Sequence, residues 1–310
     1  MLDSLSPMIE NERKVQLSLC KLNEKRFSPG FPSPNWRDEI EELAELQIVE
    51  GQFLEASRNR IFQQASEAPT DACRFVKWFE DLRINGPGQQ DELFPWLSDN
   101  CTLPEMKWFL TQEVAGEAGF EDLTALTQVK LPIAPKLELA RNYWDEMGRG
   151  NPKAMHGPLL ESLSRHLQLR PTLETTVTEA LALANTMAGL AANRRYAYHS
   201  VGALGVIEMT APARSAATSA GLKRLGINAR DRHYFALHAV LDVKHSLAWN
   251  SQAIMPLVMA DPRAASAIAE GALMRLQCGA RCFDRYKKQF NFPTDEQITG
   301  GNISNILALD

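Results

Sequence analysis

Apolar residues recur along this chain with the period of an α-helix, and no stretch alternates between apolar and polar residues as a half-buried strand would. The clearest helix runs from Trp36 to about Ala65, with apolar side chains on or near one stripe and acidic side chains around the rest. Ile40, Leu43 and Phe53 belong to that stripe. The pattern therefore predicts an all-α protein.

Proline, glycine and capping residues predict where the helices begin and end. Three prolines between residues 28 and 35 cannot continue a helix, and the segment 85–92 (Asn-Gly-Pro-Gly-Gln-Gln-Asp-Glu) is the best linker candidate. Thr102, with Glu105 three residues later, predicts a capping box that opens a helix. The predicted helices are 10–27, 36–65, 70–83, 103–129, 135–147, 152–168, 172–192, 195–209, 211–225, 229–259 with a break near Pro256, and 262–289.

The composition excludes several classes of protein. The 310 residues carry a net charge of −5 without a basic stripe, which argues against a nucleic-acid partner. No apolar run approaches the ~18–20 residues of a membrane span, and the N-terminus lacks the pattern of a secretory signal, so we expect a cytoplasmic protein without a membrane partner. The five cysteines form no Cys-x2-Cys pair, and their odd number argues against a disulfide framework.

The segment from His238 to His245 is the most informative part of the chain. At ~100° per helical residue, His238, Asp242 and His245 fall within a ~60° arc of one helix. Phe235 and Trp249 flank them with large apolar groups. Two imidazoles and a carboxylate on one face suit metal binding, although a solvated face of paired side chains explains this triplet alone equally well.

Further candidate ligands lie upstream. Glu208 has apolar or small neighbours one turn away, so its carboxylate lies on an apolar face. Glu146 and His156 flank a segment in which Gly148 and Gly150 predict a helix end, and Asn151-Pro152 predicts the next helix start. Each is explained singly as a surface glutamate or a partly buried histidine. Together, the six side chains offer enough oxygen and nitrogen for two iron-type ions and too many carboxylates for structural zinc.

The order Glu, His, Glu, His-x3-Asp-x2-His resembles the heme-oxygenase-like diiron oxidases and oxygenases, which are also described as iron-containing redox enzymes. The resemblance runs from about Phe94 to Tyr286 and includes the phrases Asn142-Tyr-Trp-Asp-Glu-Met-Gly-Arg-Gly and Ile207-Glu-Met-Thr-Ala-Pro. It is closest to the N-oxygenating branch, because the gaps of ten residues from Glu146 to His156 and thirty from Glu208 to His238 are similar to that branch's layout.

The resemblance implies a heme-oxygenase-like helical bundle that holds two Fe(II) ions per chain, the second more weakly. It implies a non-haem diiron oxygenase that activates O2, its co-substrate, through a peroxo-diferric intermediate and N-oxygenates a small amino acid or amine, with an external electron donor. Some N-oxygenating relatives have one further glutamate near the site, and spacing does not choose among Glu113, Glu117, Glu121 and Glu138. The implied iron ligands are Glu146, His156, Glu208, His238, Asp242 and His245.

Alternatives stay open at this stage. The same ligands serve oxidative decarboxylation, carbon–carbon cleavage and desaturation in related proteins, and a non-catalytic helical interaction protein would use these residues structurally. If the substrate carries a carboxylate, guanidinium groups are its natural partners. The candidate arginines are Arg141, Arg149, Arg195 and Arg224.

The chain divides into three predicted parts. Residues 1–90 form an N-terminal helical extension, residues 91–290 form the diiron core, and residues 291–310 form a C-terminal tail. The extension contains no histidine, and its apolar stripe needs cover. The resemblance favours a homodimer made through this extension, and packing on the chain's own core is the alternative.

Overall fold

A computed structural model describes residues 5–116 and 119–292, and within these ranges every regular element is a helix. No helix in the described ranges has both the length and the apolar character that crossing a bilayer requires. The helices are α1 (Leu5–Phe27), α2 (Trp36–Ala65), α3 (Ala72–Asn85), α4 (Leu93–Asp99), α5 (Leu103–Gly116), α6 (Phe120–Thr127), α7 (Ile133–Glu146), α8 (His156–Leu167), α9 (Thr178–Ala192), α10 (Ala197–Arg224), α11 (His233–Ala248), α12 (Met255–Ala260) and α13 (Arg263–Gln289).

Helices α10 and α13 form the centre of the bundle and touch along their backbones. A Cβ atom at Gly202 would lie 1.9 Å from the carbonyl oxygen of Ile268, and one at Gly271 would lie 1.9 Å from the carbonyl oxygen of His199. Only glycine at these two positions permits so close an approach. Helix α11 packs against the same central helix α10. The long helices thus provide a rigid frame for side chains that point between them.

The N-terminal helices lie on the core. Helix α1 packs against α9, and α2 packs against α13 and α1. Leu54 of α2 is fully buried, so the apolar stripe of α2 is partly covered within the chain. Its N-terminal half remains open, with Ile40 57% and Ile48 62% exposed. The dimer and the domain boundary near residue 90 stay predictions, and most of the predicted tail, residues 293–310, lies outside the described ranges.

Several predicted helix boundaries in the core were wrong, including that of the helix predicted from residue 172, since α9 begins at Thr178. The segment predicted as one helix over 103–129 is interrupted before α6, at Gly119, which has a φ of 68° in the left-handed region. Residues 195–209 and 211–225, predicted as two helices, form the single helix α10 with Pro212 inside it. The neighbouring helices hold α10 together although Pro212 cannot donate to the carbonyl of Glu208. The short helix α4 was not predicted.

The helix that carries His238 also ends differently from the prediction. Helix α11 stops at Ala248, and residues Trp249–Ile254 form a π-helical turn before α12. The turn begins at Trp249, whose buried indole Nε1 donates to the carbonyl of Val201 at 3.1 Å and lies against the bare backbone of Gly205. The break therefore precedes Pro256.

A buried polar network ties α2 to the central helices. Glu270 of α13 is 5% exposed and contacts Nε2 of His199 at 2.7 Å and Nε of Arg58 at 2.8 Å. Arg58 also donates to Glu55, which accepts the Tyr196 hydroxyl at 2.5 Å. Burial raises the pKa of Glu270, but His199 and Arg58 together hold it at about 2. Glu270 is therefore ionised throughout the neutral range.

We predict that Glu270→Ala lowers the free energy of unfolding by on the order of 3 kcal/mol, because it leaves His199 and Arg58 without their shared acceptor. Urea denaturation at neutral pH measures the change. The matched control is Glu45→Ala, an exposed residue of α2, which should leave the stability unchanged. Equal stability of both variants would contradict a stabilising role for this network.

Candidate metal centre

Glu146 and His156 lie side by side because the chain reverses direction between them. Glu146 is the last residue of α7, and His156 is the first residue of α8. Gly148 has a φ of 59°, and a Cβ there would lie 2.5 Å from the backbone of Ala154. The turn therefore requires glycine. The prediction that α8 starts at Asn151-Pro152 was wrong, since the turn occupies those residues and places His156 in the first turn of the helix.

Glu208 reaches the same region from the middle of α10. Its side chain is 2% exposed, and its Oε1 accepts a hydrogen bond of 2.5 Å from Nδ2 of Asn142. Asn142 lies one turn before Glu146 on α7, so both side chains point from the same face of that helix. The sequence pattern alone assigned Asn142 no role. Its spacing of four residues from Glu146 is the signal that could have predicted its place in the site.

Helix α11 brings the remaining three candidates to this region, as its spacing predicted. Nδ1 of His238 lies 3.1 Å from both carboxylate oxygens of Asp242. Nδ1 of His245 lies 3.4 Å from Oε2 of Glu208 and 4.0 Å from Oδ1 of Asp242. The rings of His156 and His238 meet edge to face, with 4.6 Å between their centres. All six predicted ligands therefore lie together, on four helices.

Two groups of three side chains have ligand atoms close enough to share one ion. Glu146, His156 and His238 form one group, and Glu146, Glu208 and His245 form the other. Within each group the ligand atoms lie within 4.8 Å of one another. Glu146 belongs to both groups, and Asp242 lies next to a histidine of each. The arrangement thus offers two adjacent positions joined by one carboxylate.

Burial disfavours ionisation of the carboxyl groups in this cluster. Burial raises the pKa of Glu146 to about 8, and the nearby charge of Glu208 contributes to this. Burial also raises the pKa of Glu208. The pKa of His156 is lowered to about 4 by burial and by the neighbouring His238. The carboxylate forms of Glu146 and Glu208 therefore need added positive charge beside them, which a divalent cation supplies.

Asp145 is a residue of this site that the sequence analysis missed. Its Oδ2 lies 3.1 Å from Nε2 of His245, while Arg149 donates to its Oδ1 at 2.6 Å. Burial disfavours the charged form of His245, but the carboxylates of Glu208 and Asp145 raise its pKa to about 9. A carboxylate on the far nitrogen of an imidazole fixes the ring orientation, as in many metal sites. Only its position beside Glu146 hinted at this role.

The donor atoms fit a metal ion better than they fit one another. Nδ1 of His156 lies 2.5 Å from Oε2 of Glu146, yet within the described ranges no acceptor meets hydrogen-bond geometry with this buried nitrogen. The same holds for the buried Nδ1 of His245. Nitrogen and carboxylate oxygen that converge without bonding each other suit a shared ion. Imidazole with several carboxylates matches the preferences of iron.

The structure gives the four further glutamate candidates different surroundings where it describes them. Glu138 is buried against Arg141, and Glu113 accepts a hydrogen bond of 3.3 Å from the hydroxyl of Tyr286. Glu121 lies beside the site, since its charge raises the pKa of Glu146. A Cβ atom placed on Gly157, the residue after His156, would lie 3.5 Å from Oε1 of Glu121. Glu117 lies outside the described residues.

A cavity of about 110 Å³ adjoins the cluster. Glu146, Glu208, His238 and Asp242 form part of its wall. The remaining wall is mostly aromatic and aliphatic, and it also contains the polar side chains of Arg214 and Arg275. Its other lining residues include Phe94, Phe109, Glu113, Phe120, Leu160, Ile207, Ser215, Thr218, Tyr234 and Phe235.

None of the four arginines proposed from the sequence as carboxylate partners lines this cavity. Arg141 and Arg149 are 63% and 72% exposed and pair with Glu138 and Asp145. The other two pair elsewhere: Arg195 lies over the ring of Tyr196, and Arg224 donates to backbone carbonyls after α4.

Comparison with known proteins identifies one family. The family model described as iron-containing redox enzyme matches residues 107–280, which is more than half of the chain. The match runs from α5 to α13 and includes all six predicted ligands. This family has the heme-oxygenase-like fold, so the predicted all-α heme-oxygenase-like bundle is confirmed. The comparison with curated proteins found no match.

We predict that the metal-free protein loses stability as the pH rises from 6.5 to 8, and that Glu146 causes part of this loss. The fold raises the pKa of Glu146 to about 8, so the unfolded chain is ionised at pH values where the folded chain still holds the proton. Unfolding by urea should show that the stability of the wild-type protein relative to Glu146→Gln falls by up to about 1.4 kcal/mol per pH unit.

The matched control for this experiment is Glu161→Gln on the exposed face of α8. Its stability curve should run parallel to that of the wild type. The interpretation is wrong if the Glu146→Gln curve also runs parallel across this pH range.

Proposed function

Because the chain belongs to the iron-containing redox enzymes, an oxidoreductase family, we propose that it is a non-haem diiron oxygenase. The observation that carries the proposal is the position of Glu146 in two ligand groups at once. A carboxylate has two oxygens and can bridge neighbouring ions, which a neutral imidazole, with one nitrogen lone pair available, cannot do. The family binds iron, and we propose that this chain binds two iron ions.

We assign the residues as follows. Glu146 would contribute to both positions, His156 and His238 would complete one, and Glu208 and His245 would complete the other. Asp242 lies between the two α11 histidines and serves either position. Ferrous iron held here would supply the electrons that activate O2. Among the additional glutamates, we favour Glu121 as a further ligand because of its position beside Glu146 and His156.

Other residues hold the ligands in place. Asn142 donates to Glu208 and leaves its second carboxylate oxygen facing His245. Asp145 orients His245 from the opposite side of the ring, and Arg149 in turn anchors Asp145. Orienting partners of this kind are as necessary to a metal site as the ligands themselves.

The cavity supports a small substrate whose amine is oxidised. Phe94, Phe109 and Phe235 make much of its wall apolar, and an apolar wall lowers the pKa of an amine by desolvation. A neutral amine has the lone pair that N-oxygenation needs. The cavity reaches Glu208 and His238 directly, so an amine in it could come within ~3–3.5 Å of an activated oxygen. We therefore propose N-oxygenation of a small amino acid or amine.

We predict that the protein reconstituted without oxygen binds about two ferrous ions per chain. His238→Ala and Glu208→Ala should each lower this number to about one, since each residue belongs to one ligand group. Glu146→Ala should weaken both positions. Iron analysis after gel filtration measures the ratio, and circular dichroism checks that the helices remain. His166→Ala, which removes an exposed histidine of α8, is the control and should change nothing.

Unchanged iron content in His238→Ala, Glu208→Ala and Glu146→Ala would refute the metal centre and favour a non-catalytic helical protein. A single ion in the wild type that Glu208→Ala does not remove would refute the second position but leave the first.

We predict that turnover under ¹⁸O₂ places one labelled oxygen on the nitrogen of a small amino acid or amine. Mass spectrometry of iron-loaded protein incubated with pooled amino acids and a reductant identifies the product. Glu208→Ala serves as the inactive control. Loss of carbon dioxide, carbon–carbon cleavage, or loss of two hydrogens without oxygen incorporation would contradict N-oxygenation while preserving oxidative chemistry at the same site.

A further inference from the structure

Two of the residues that line the cavity are arginines, which have no role in the predicted iron site. Arg214 comes from α10, and Arg275 comes from α13. A smaller cavity of about 50 Å³ shares Arg214, Arg275 and Glu113 with the first and contains none of the predicted iron ligands. These three side chains therefore lie at the end of the main cavity that adjoins the smaller one.

Both guanidinium groups have N–H donors that the hydrogen bonds among the described residues do not use. Arg214 donates to the carbonyl oxygen and hydroxyl of Thr210, at 3.1 and 2.6 Å, and both acceptors are neutral. Nε of Arg275 is buried and has no acceptor among the described residues. A guanidinium group has five N–H donors, and a carboxylate matches them in pairs.

The charge at this end of the cavity is positive. Burial, together with the charge of Arg275, lowers the pKa of Arg214 to about 9, which still leaves it protonated at neutral pH. Glu113 is the nearby carboxylate that opposes this effect, but burial raises the pKa of Glu113 as well. Two guanidinium groups thus face one carboxyl group whose ionisation is disfavoured. An anion entering the cavity would relieve the imbalance.

Arg214 also lies where the cavity meets the outside. A larger groove of about 810 Å³, formed in part by α4 and α11, shares Phe94 and Arg214 with the inner cavity. A molecule that passes from the groove to the metal centre therefore passes Arg214. Because Arg214 bonds to Thr210, its guanidinium is held one turn back along α10, toward Glu208.

We propose that Arg214 and Arg275 bind the carboxylate of a small amino acid and thereby direct its amine toward Glu208 and His238. The substrate class is thus a compact amino acid whose carboxylate the arginines hold while its neutral amine faces the predicted iron ligands. The direction of the amine rests on the proposed function, whereas carboxylate binding by the two arginines does not require iron. The two parts can be tested separately.

Calorimetry of metal-free protein with propionate and propionamide tests the carboxylate site. These probes have the same shape, and only propionate carries a charge. We expect saturable binding of propionate, and binding weaker by about tenfold or more for propionamide. Arg214→Gln and Arg275→Gln should each weaken propionate binding by about tenfold or more. The control is Arg263→Gln, which lies on α13 and is 91% exposed, and which should bind propionate as the wild type does.

Thermal unfolding separates ligand binding from a structural role. Removing an incompletely compensated charge should leave the melting temperature of Arg214→Gln unchanged or higher, whereas a structural ion pair would make it lower. Arg214→Lys retains the charge and should bind propionate more tightly than Arg214→Gln does, so it also serves if the glutamine variant does not fold.

Three results would overturn the proposal: no binding of propionate, equal binding of propionate and propionamide, or wild-type propionate binding by Arg214→Gln. Any of these together with normal ¹⁸O incorporation would refute the carboxylate site and leave the proposed function standing. Propionate binding that depends on Arg214, together with the absence of iron-dependent oxygen incorporation, would refute only the proposed function.

Discussion

The burial of carboxylates among apolar helices is the constraint on which this structure depends. Glu146, Glu208 and Asp242 are each no more than 3% exposed, in a part of the core where an uncompensated charge costs several kcal/mol. Burial raises the pKa of Glu146 and Glu208, so these groups ionise readily only beside added positive charge. A protein accepts such an arrangement where a cation completes it, and the family to which the chain belongs holds iron. The rigid contact between α10 and α13 and the turn at Gly148 hold these carboxyl groups in fixed positions relative to one another.

The sequence predicted well which candidate ligands lie together, because each is tied to a local pattern. His238, Asp242 and His245 share a helix face through spacing alone, and the structure brings them together with Glu146, His156 and Glu208. The boundaries of α2 were predicted at Trp36 and Ala65, where they are observed. Glu105 accepts the backbone N–H of Thr102 at 2.7 Å, which is half of the predicted capping box. These features depend on neighbours within a few residues of each other.

The features that the sequence analysis missed depend on distant parts of the chain. Pro212 ends a helix by its local preference, but α10 continues through it because α4, α11 and α13 pack along its length. Once α10 is continuous, Ile207, Ala211 and Arg214 share the face that lines the cavity. With a helix break predicted near Pro212, the sequence does not show that Arg214 shares a helix face with Ile207. The arginines predicted as carboxylate partners are exposed ones instead. Asp145 was missed for the same reason, since its partner His245 is 100 residues away.

The cavity combines two opposite environments within a small volume. Carboxylates that require positive charge form one part of its wall, and guanidinium groups that require negative charge form another. Phenylalanine side chains also line the cavity, and by excluding water they would strengthen both electrostatic fields. If Arg214 and Arg275 bind the substrate as proposed, an amino acid that enters this space is oriented before any metal chemistry takes place, because reversal would set its carboxylate against Glu208 and away from the guanidinium groups. Orientation by fixed charge would then select which atom of the substrate meets the metal centre, at no cost in reorganisation when the reaction occurs.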